Sequence, residues 1–275
     1  MQHRKLSRLI CYVLGLLIIV INIFPLYVLL NLSLRSIQDL GSKLVFPEVL
    51  NWDNYKSVLS AGDVFVGFRN SLVMVIGTVF IEIMVSSLGA YGVVRARNRM
   101  AEAIRIISMG VMMIPPISLI VGTYSLMVKV HLNDTLSGLI LLTATLGIPA
   151  CLFMYCAFIT TIPKELDEAA MIDGAGMVKT FFRIVFPQLK AITITRMIIS
   201  AIGCWNNYLY PMYLLQSKDK YSIILVIKSA FNAYDGVGNL PRACATCIIG
   251  IIPVIIMYIF LQRYIISGQI DSAVK

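Results

Sequence analysis

The chain has 275 residues, 59% hydrophobic and only 13% charged, with a formal net charge of +9. A soluble domain carries roughly a quarter charged residues, so an ordinary water-soluble fold is excluded. The apolar residues fall in long runs of about 20, the length that matches the roughly 30 Å hydrocarbon core of a bilayer. The chain therefore reads as an all-α integral membrane protein. Its basic excess is explained by membrane loops, without a nucleic-acid partner.

Six transmembrane helices are predicted, at 9–32, 67–94, 106–128, 136–159, 192–216 and 243–264. The basic segment Met1–Arg8 precedes the first run. That run is longer than the roughly 7–15 apolar residues of a signal peptide, so an uncleaved first helix is expected. Residues 1–66 then form the first transmembrane helix and an outer loop, and 67–275 a core of five helices with an inner loop at 160–191. An even number of spans puts both termini on one side. With that side cytoplasmic, fourteen of the 23 basic residues lie inside against six acids, and nine outside against seven acids. Arg196 is counted among the inner charges. The asymmetry follows the positive-inside rule.

Several residues inside the predicted spans carry chemistry. Glu82 is an ionisable group in mid-span, where a bare charge costs at least about 2.5 kcal/mol, so it must face protein or be protonated. A structural hydrogen bond and a contact to a solute both fit. Pro115 and Pro116 lie within the third span. Proline removes a backbone donor, and broken helices at membrane depth are tolerated where they are buried in protein or line a cavity. A translocation path and a packing kink fit equally. Trp205, Asn206, Asn207 and Tyr208 cluster in the fifth span, where rings can stack on a solute and amides can bind its hydroxyls, and where a Trp also suits an interfacial anchor. The six cysteines lie within or beside apolar runs, so they read as small buried residues. No His/Cys cluster suggests a metal.

The inner loop is the most informative segment. Pro163 suits a first helical turn, and Glu165, Asp167 and Glu168 suit a helix N-terminus. Gly174 and Gly176 break that helix. A second amphipathic piece follows, carrying Met177, Val178, Phe181, Phe182 and Val185, and Pro187 ends it. Such a helix–turn–helix with an apolar face either docks on a partner protein or lies on the membrane surface.

Its spacing resembles the EAA loop of permeases in ATP-binding-cassette importers: Glu168, Ala169, Ala170, three residues, Gly174, nine residues, Ile184, one residue, then Phe186 and Pro187. Leu is usual where Phe186 stands. Asp173 before the glycine fits the sugar-importer branch, and the tail Gly268–Lys275 resembles the maltose-type permease, with Ser272 in place of a glycine. Asn70-Ser71-Leu72, Ala90-Tyr91 with Arg95, and Trp205-Asn206 resemble other parts of that family, although Asn207 stands where an acid is common.

The resemblance implies a type I importer permease in the bacterial plasma membrane that moves a carbohydrate or related solute. Its partners would be a second, related permease, two ATP-binding-cassette subunits and an extracytoplasmic solute-binding protein. Glu168 would make polar contact at the ATPase joint, Gly174 would give the bend, and Pro187 would set the entry of the fifth span. The chain lacks a GxxxxGK[ST] phosphate loop, so ATP and magnesium are expected on the separate ATPase, and no cofactor or enzyme chemistry on this chain. A gradient-driven transporter would instead show charge pairs across spans and inverted repeats. Glu82 is the one mid-span charge the sequence offers that reading.

Overall fold

Backbone groups in hydrocarbon must pair within their own segment or close into a barrel. This chain takes the first solution. The computed structural model describes residues 2–39, 41–96, 98–232 and 239–273, with side chains described from 11 to 260 within those bounds. Every regular element among the described residues is helical. In chain order these are α1 (Gln2–Ser33), α2 (Asp53–Ala61), α3 (Asp63–Ala96), α4 (Arg99–Met112), α5 (Ile120–Lys129), α6 (Leu136–Ile159), α7 (Glu165–Ile172), α8 (Met177–Thr180), α9 (Phe186–Gln188), α10 (Lys190–Trp205), α11 (Leu209–Leu214), α12 (Ile223–Asn232) and α13 (Leu240–Ala273). Four helices are long and apolar enough to cross a bilayer, and there are six spans if each of two bent pairs crosses as one.

The second bent pair joins Met177–Gln188 to α10 at 80°, and the structure departs from the predicted spans at two helix breaks. The third span, expected at 106–128, is two helices meeting at 99°. Pro115 is extended (φ −60°, ψ 129°) and Pro116 opens a short 3-10 turn. Neither has an N–H to continue the ladder, and a residue before proline is driven out of the α region. The freed Pro116 carbonyl accepts from the Tyr210 hydroxyl at 3.2 Å. The fifth span, expected at 192–216, stops at Trp205 and resumes as α11. At that stop the Asn206 amide turns back to the Ile202 carbonyl at 3.1 Å, the local competition that makes Asn a poor helix former.

The chain divides into two compact units. The first combines residues 1–65 with 226–252. Its centre is a buried guanidinium. Arg35, 4% exposed, donates to Asn31, to Asp39 at 3.0 Å and to the carbonyls of Gly41, Ser42 and Val45. Asn54 of α2 closes this outer loop onto the Ser33 and Arg35 carbonyls at 2.9 and 2.8 Å. The predicted outer loop is thus an ordered polar web.

The second unit combines residues 66–225 with 253–275. It holds two apolar clusters. One joins Val79, Ile83 and Tyr91 of α3 to Tyr155 and Ile159 of α6 and to Phe181 and Val185. The other joins Met74 of α3, Met127 of α5, Leu139 and Leu142 of α6, Cys204 of α10 and Tyr210 of α11. At 34 residues and about 1.5 Å rise per residue, α3 is about 50 Å long. It outreaches the hydrocarbon and brings Tyr91 and Arg95 to the side that carries the 160–191 loop.

Candidate functional site

Helix α7 has two faces. Asp167 and Ala170, three residues apart, are buried, while Glu168, Ala169 and Met171 are exposed. Asp167 accepts from the Tyr91 hydroxyl at 2.6 Å and forms an ion pair with Arg95 at 2.7 Å. Arg95 also donates to the Ile162 carbonyl at 3.2 Å, just ahead of α7. The acids Glu165, Asp167 and Glu168 all occupy the first turn of α7, where the helix dipole favours them.

The helix ends at Asp173 in a glycine cap. Gly174 has φ +76°, its N–H bonds the Met171 carbonyl at 3.0 Å, and the Ala175 N–H bonds the Ala170 carbonyl at 2.9 Å. That pair of bonds is the Schellman arrangement, in which glycine avoids a Cβ clash. The chain then returns through α8 into a π turn at Phe181–Val185, immediately before Pro187, which has no N–H to offer the helix. Phe181 and Val185 are fully buried. Ile184 is half-buried and Pro187 exposed.

The base of the loop is therefore fixed, and its tip stands free. At that tip Met171 is 53% exposed, Ile172 87%, Met177 60% and Val178 67%. Exposed apolar side chains grouped this way mark a protein–protein or membrane contact.

In mid-span a second constellation ties α3, α6 and α10. Glu82 and Arg196 are 2% and 8% exposed. Arg196 Nε donates to Glu82 Oε1 at 2.7 Å, Nη2 donates to the same oxygen, and the Ser200 hydroxyl donates to Oε2 at 2.5 Å. Arg196 Nη2 also reaches the Gly147 carbonyl at 3.3 Å. A side chain at Gly147 would bring its Cβ within 2.7 Å of the Glu82 carboxyl carbon, so it would push the carboxylate off its bonds. This corrects the placing of Arg196 among the inner-surface charges: it is a buried partner of Glu82. The sequence signal was available, since Arg196 and Ser200 share a helix face four residues apart inside an apolar run.

The remaining predicted path residues lie at the end of α10 and at the break between α4 and α5. Trp205 is 8% exposed and stacks on Phe68 at 6.1 Å. Asn206 is exposed, Asn207 half-buried and Tyr208 exposed. Pro115 and Pro116 sit at the break between α4 and α5. One polar site was missed. Asp134, at φ +51°, accepts from the backbone N–H groups of Gln216 and Ser217 at 2.9 and 3.1 Å, from the Ser217 hydroxyl at 2.5 Å and from Lys220 at 3.1 Å. Burial opposes its ionisation, but these donors outweigh burial and hold the carboxyl well below the usual carboxylate range.

Comparison with known proteins agrees with this geometry. Residues 82–269 match the family described as "Binding-protein-dependent transport system inner membrane component". The chain is 32% identical over 273 residues to the melibiose/raffinose/stachyose import permease protein MelC of Bacillus subtilis (strain 168), covering 99% of this chain and 98% of that protein. It is 32% identical to the multiple sugar-binding transport system permease protein MsmG of Streptococcus mutans serotype c, covering 95% and 93%. Its fold matches, at TM-score 0.85 and 19% identity over 96% of this chain and 98% of the other, a chain in the crystal structure of a bacterial ABC transporter involved in the import of the acidic polysaccharide alginate. A chain with this helical architecture, this loop and these relatives belongs to the inner membrane components of binding-protein-dependent transport systems.

Proposed function

We propose that the chain is the membrane-spanning permease subunit of an ATP-driven importer for an oligosaccharide. It lies in the plasma membrane with its termini and the 160–191 loop cytoplasmic. The observation that carries this reading is the exposed apolar tip at Met171, Ile172, Met177 and Val178 on a buried base, set within the Glu168–Ala169–Ala170…Gly174…Ile184…Pro187 spacing. The tip would seat in a cleft of a separate ATP-binding subunit, which holds ATP and magnesium. Glu168 and Asp173 are exposed beside the tip and supply polar contacts there. Gly174 holds the bend, and Pro187 sets the approach to α10.

Two such ATP-binding subunits, a second permease and an external solute-binding protein complete the machine. Closure on ATP turns the two permeases from inward- to outward-facing, and the delivered solute passes between them. Relatives named for melibiose, raffinose, stachyose and multiple sugars support a carbohydrate solute. Asn206, Asn207 and Tyr208 offer it amides and a ring. Pro115 and Pro116 offer a broken helix at membrane depth. Glu82 has both carboxylate oxygens engaged within this chain, which favours a structural role over a contact to the solute. That engagement also weakens the gradient-driven alternative, which needs a carboxylate free to exchange its proton or ion.

The test is uptake of labelled oligosaccharides by cells lacking this chain. Complementation by the native chain restores uptake of at least one galactoside or glucoside oligomer. Complementation by the Gly174→Val variant, inserted in the membrane at equal level, does not. Equal uptake with both would overturn the assignment of the loop.

A further inference from the structure

The 160–191 loop is joined covalently to α6 ahead of α7 and to α10 through Leu189. It has no covalent link to α3. Even so, it makes buried polar contacts there. Asp167 is buried against the α3 residues Tyr91 and Arg95, and a buried carboxylate is tolerated only when it is paired and hydrogen-bonded. The returning limb of the loop grips the same ring: Phe181 lies 5.4 Å from Tyr91, tilted by 44°, and is itself fully buried. Arg95 stands over that ring as well, at 5.9 Å. Both limbs thus close on one aromatic at the end of one span, and the apolar tip between them is exposed.

From Tyr91, α3 continues unbroken to Glu82, nine residues or about 14 Å along the helix. There it is bonded to Arg196 of α10, and α10 returns to the loop. The contacts form a closed ring: loop, Tyr91 clamp, α3, Glu82–Arg196, α10, loop. The covalent links to α6 and α10 alone would let the loop swing without moving α3. The clamp removes that freedom.

We infer that Tyr91, Arg95 and Asp167 are positioning residues that pass the displacement of the loop tip into α3, so that the second span moves together with the fifth at each ATP-driven closure. This rests on the importer reading above. It differs from the roles given to Glu168 and Gly174, which act at the joint itself.

The test uses the whole complex in proteoliposomes, with Tyr91→Phe, Asp167→Asn and the double variant, and with Arg95→Lys as the conservative exchange. Three quantities are read: ATP-binding subunit retained on the tagged chain, ATP hydrolysed, and solute taken up per ATP. The expected result is full retention, continued hydrolysis and a loss of uptake per ATP of about 2- to 30-fold in each single variant, the range of measured couplings. The double variant should be no worse than the worse single, because both changes break one clamp. Arg95→Lys should retain more coupling than Asp167→Asn. Unchanged uptake per ATP, or losses that multiply in the double variant, would overturn the inference. So would loss of the ATP-binding subunit in the variants alone, since that places the residues in docking and not in transmission. Absence of that subunit from the native chain would instead sink the importer reading itself.

Discussion

Replacing Glu82 by Gln is nearly isosteric but leaves the Arg196 guanidinium charged and uncompensated. The side chains of Arg196 and Glu82 are only 10% and 3% exposed, so solvent screens little of the loss. Removing one member of a buried ion pair costs about 3–5 kcal/mol. At roughly 2–4 °C per kcal/mol for a chain of this size, the midpoint of thermal unfolding falls by about 10 °C. The readout is built in: Cys151, Cys156, Cys204 and Cys244 are buried, so a thiol-reactive dye in detergent reports the melt. The paired replacement Glu82→Gln/Arg196→Met removes both charges. It should recover most of the loss, because the pair itself adds little net stability once both desolvation costs are counted. A Glu82→Gln midpoint within about 2 °C of the native chain, or a double variant no more stable than the single, would refute the buried-pair account.

Other positions give sharper or milder effects. Gly147→Ala should destabilise by about 1–3 kcal/mol through overpacking, since its Cβ would meet the Glu82 carboxylate; the same melt reads it. Gly174→Val forces a β-branched residue to φ +76°, a strain of about 1–2 kcal/mol, and should reduce retention of the ATP-binding subunit while the rest of the chain stays folded. Ile172→Asp, at an exposed tip position, should leave the melt unchanged and abolish that retention. Asp134 has its pKa lowered on folding, so its stabilisation of the 215–220 segment is present above the unfolded value near about 4 and is lost as pH falls below it. Protection of the Gln216 and Ser217 amides, relative to their intrinsic exchange rates, should be high at neutral pH and fall in acid, whereas Asp134→Ala should lack it at every pH.

Much of this architecture was legible because hydrophobic run length maps directly onto bilayer thickness. Helices α1, α3, α6 and α13 match the predicted spans closely. The glycine cap after α7 was legible too, since Gly at C′ has a local cause. What escaped were pairings between residues distant in sequence. Arg196 looked like a loop charge because its partner lies 114 positions away. Asp167 looked like one more acid at a helix start, although burial against Tyr91 and Arg95 separates it from its neighbour Glu168. The breaks at Pro115 and Asn206 were marked by their residues, but the 99° bend at the first depends on what packs around it. The tail resemblance at Gly268–Lys275 falls where side chains are outside the described residues.

The central claim is that the loop tip seats a separate motor. Its most direct measurement is affinity purification of the tagged chain from native membranes in mild detergent, with mass spectrometry of the proteins that accompany it, for the native chain and for Ile172→Asp. The account predicts an ATP-binding-cassette subunit and a second permease with the native chain, and the permease without the ATP-binding subunit for Ile172→Asp. A native chain that transports solute and purifies with no ATP-binding subunit would contradict it.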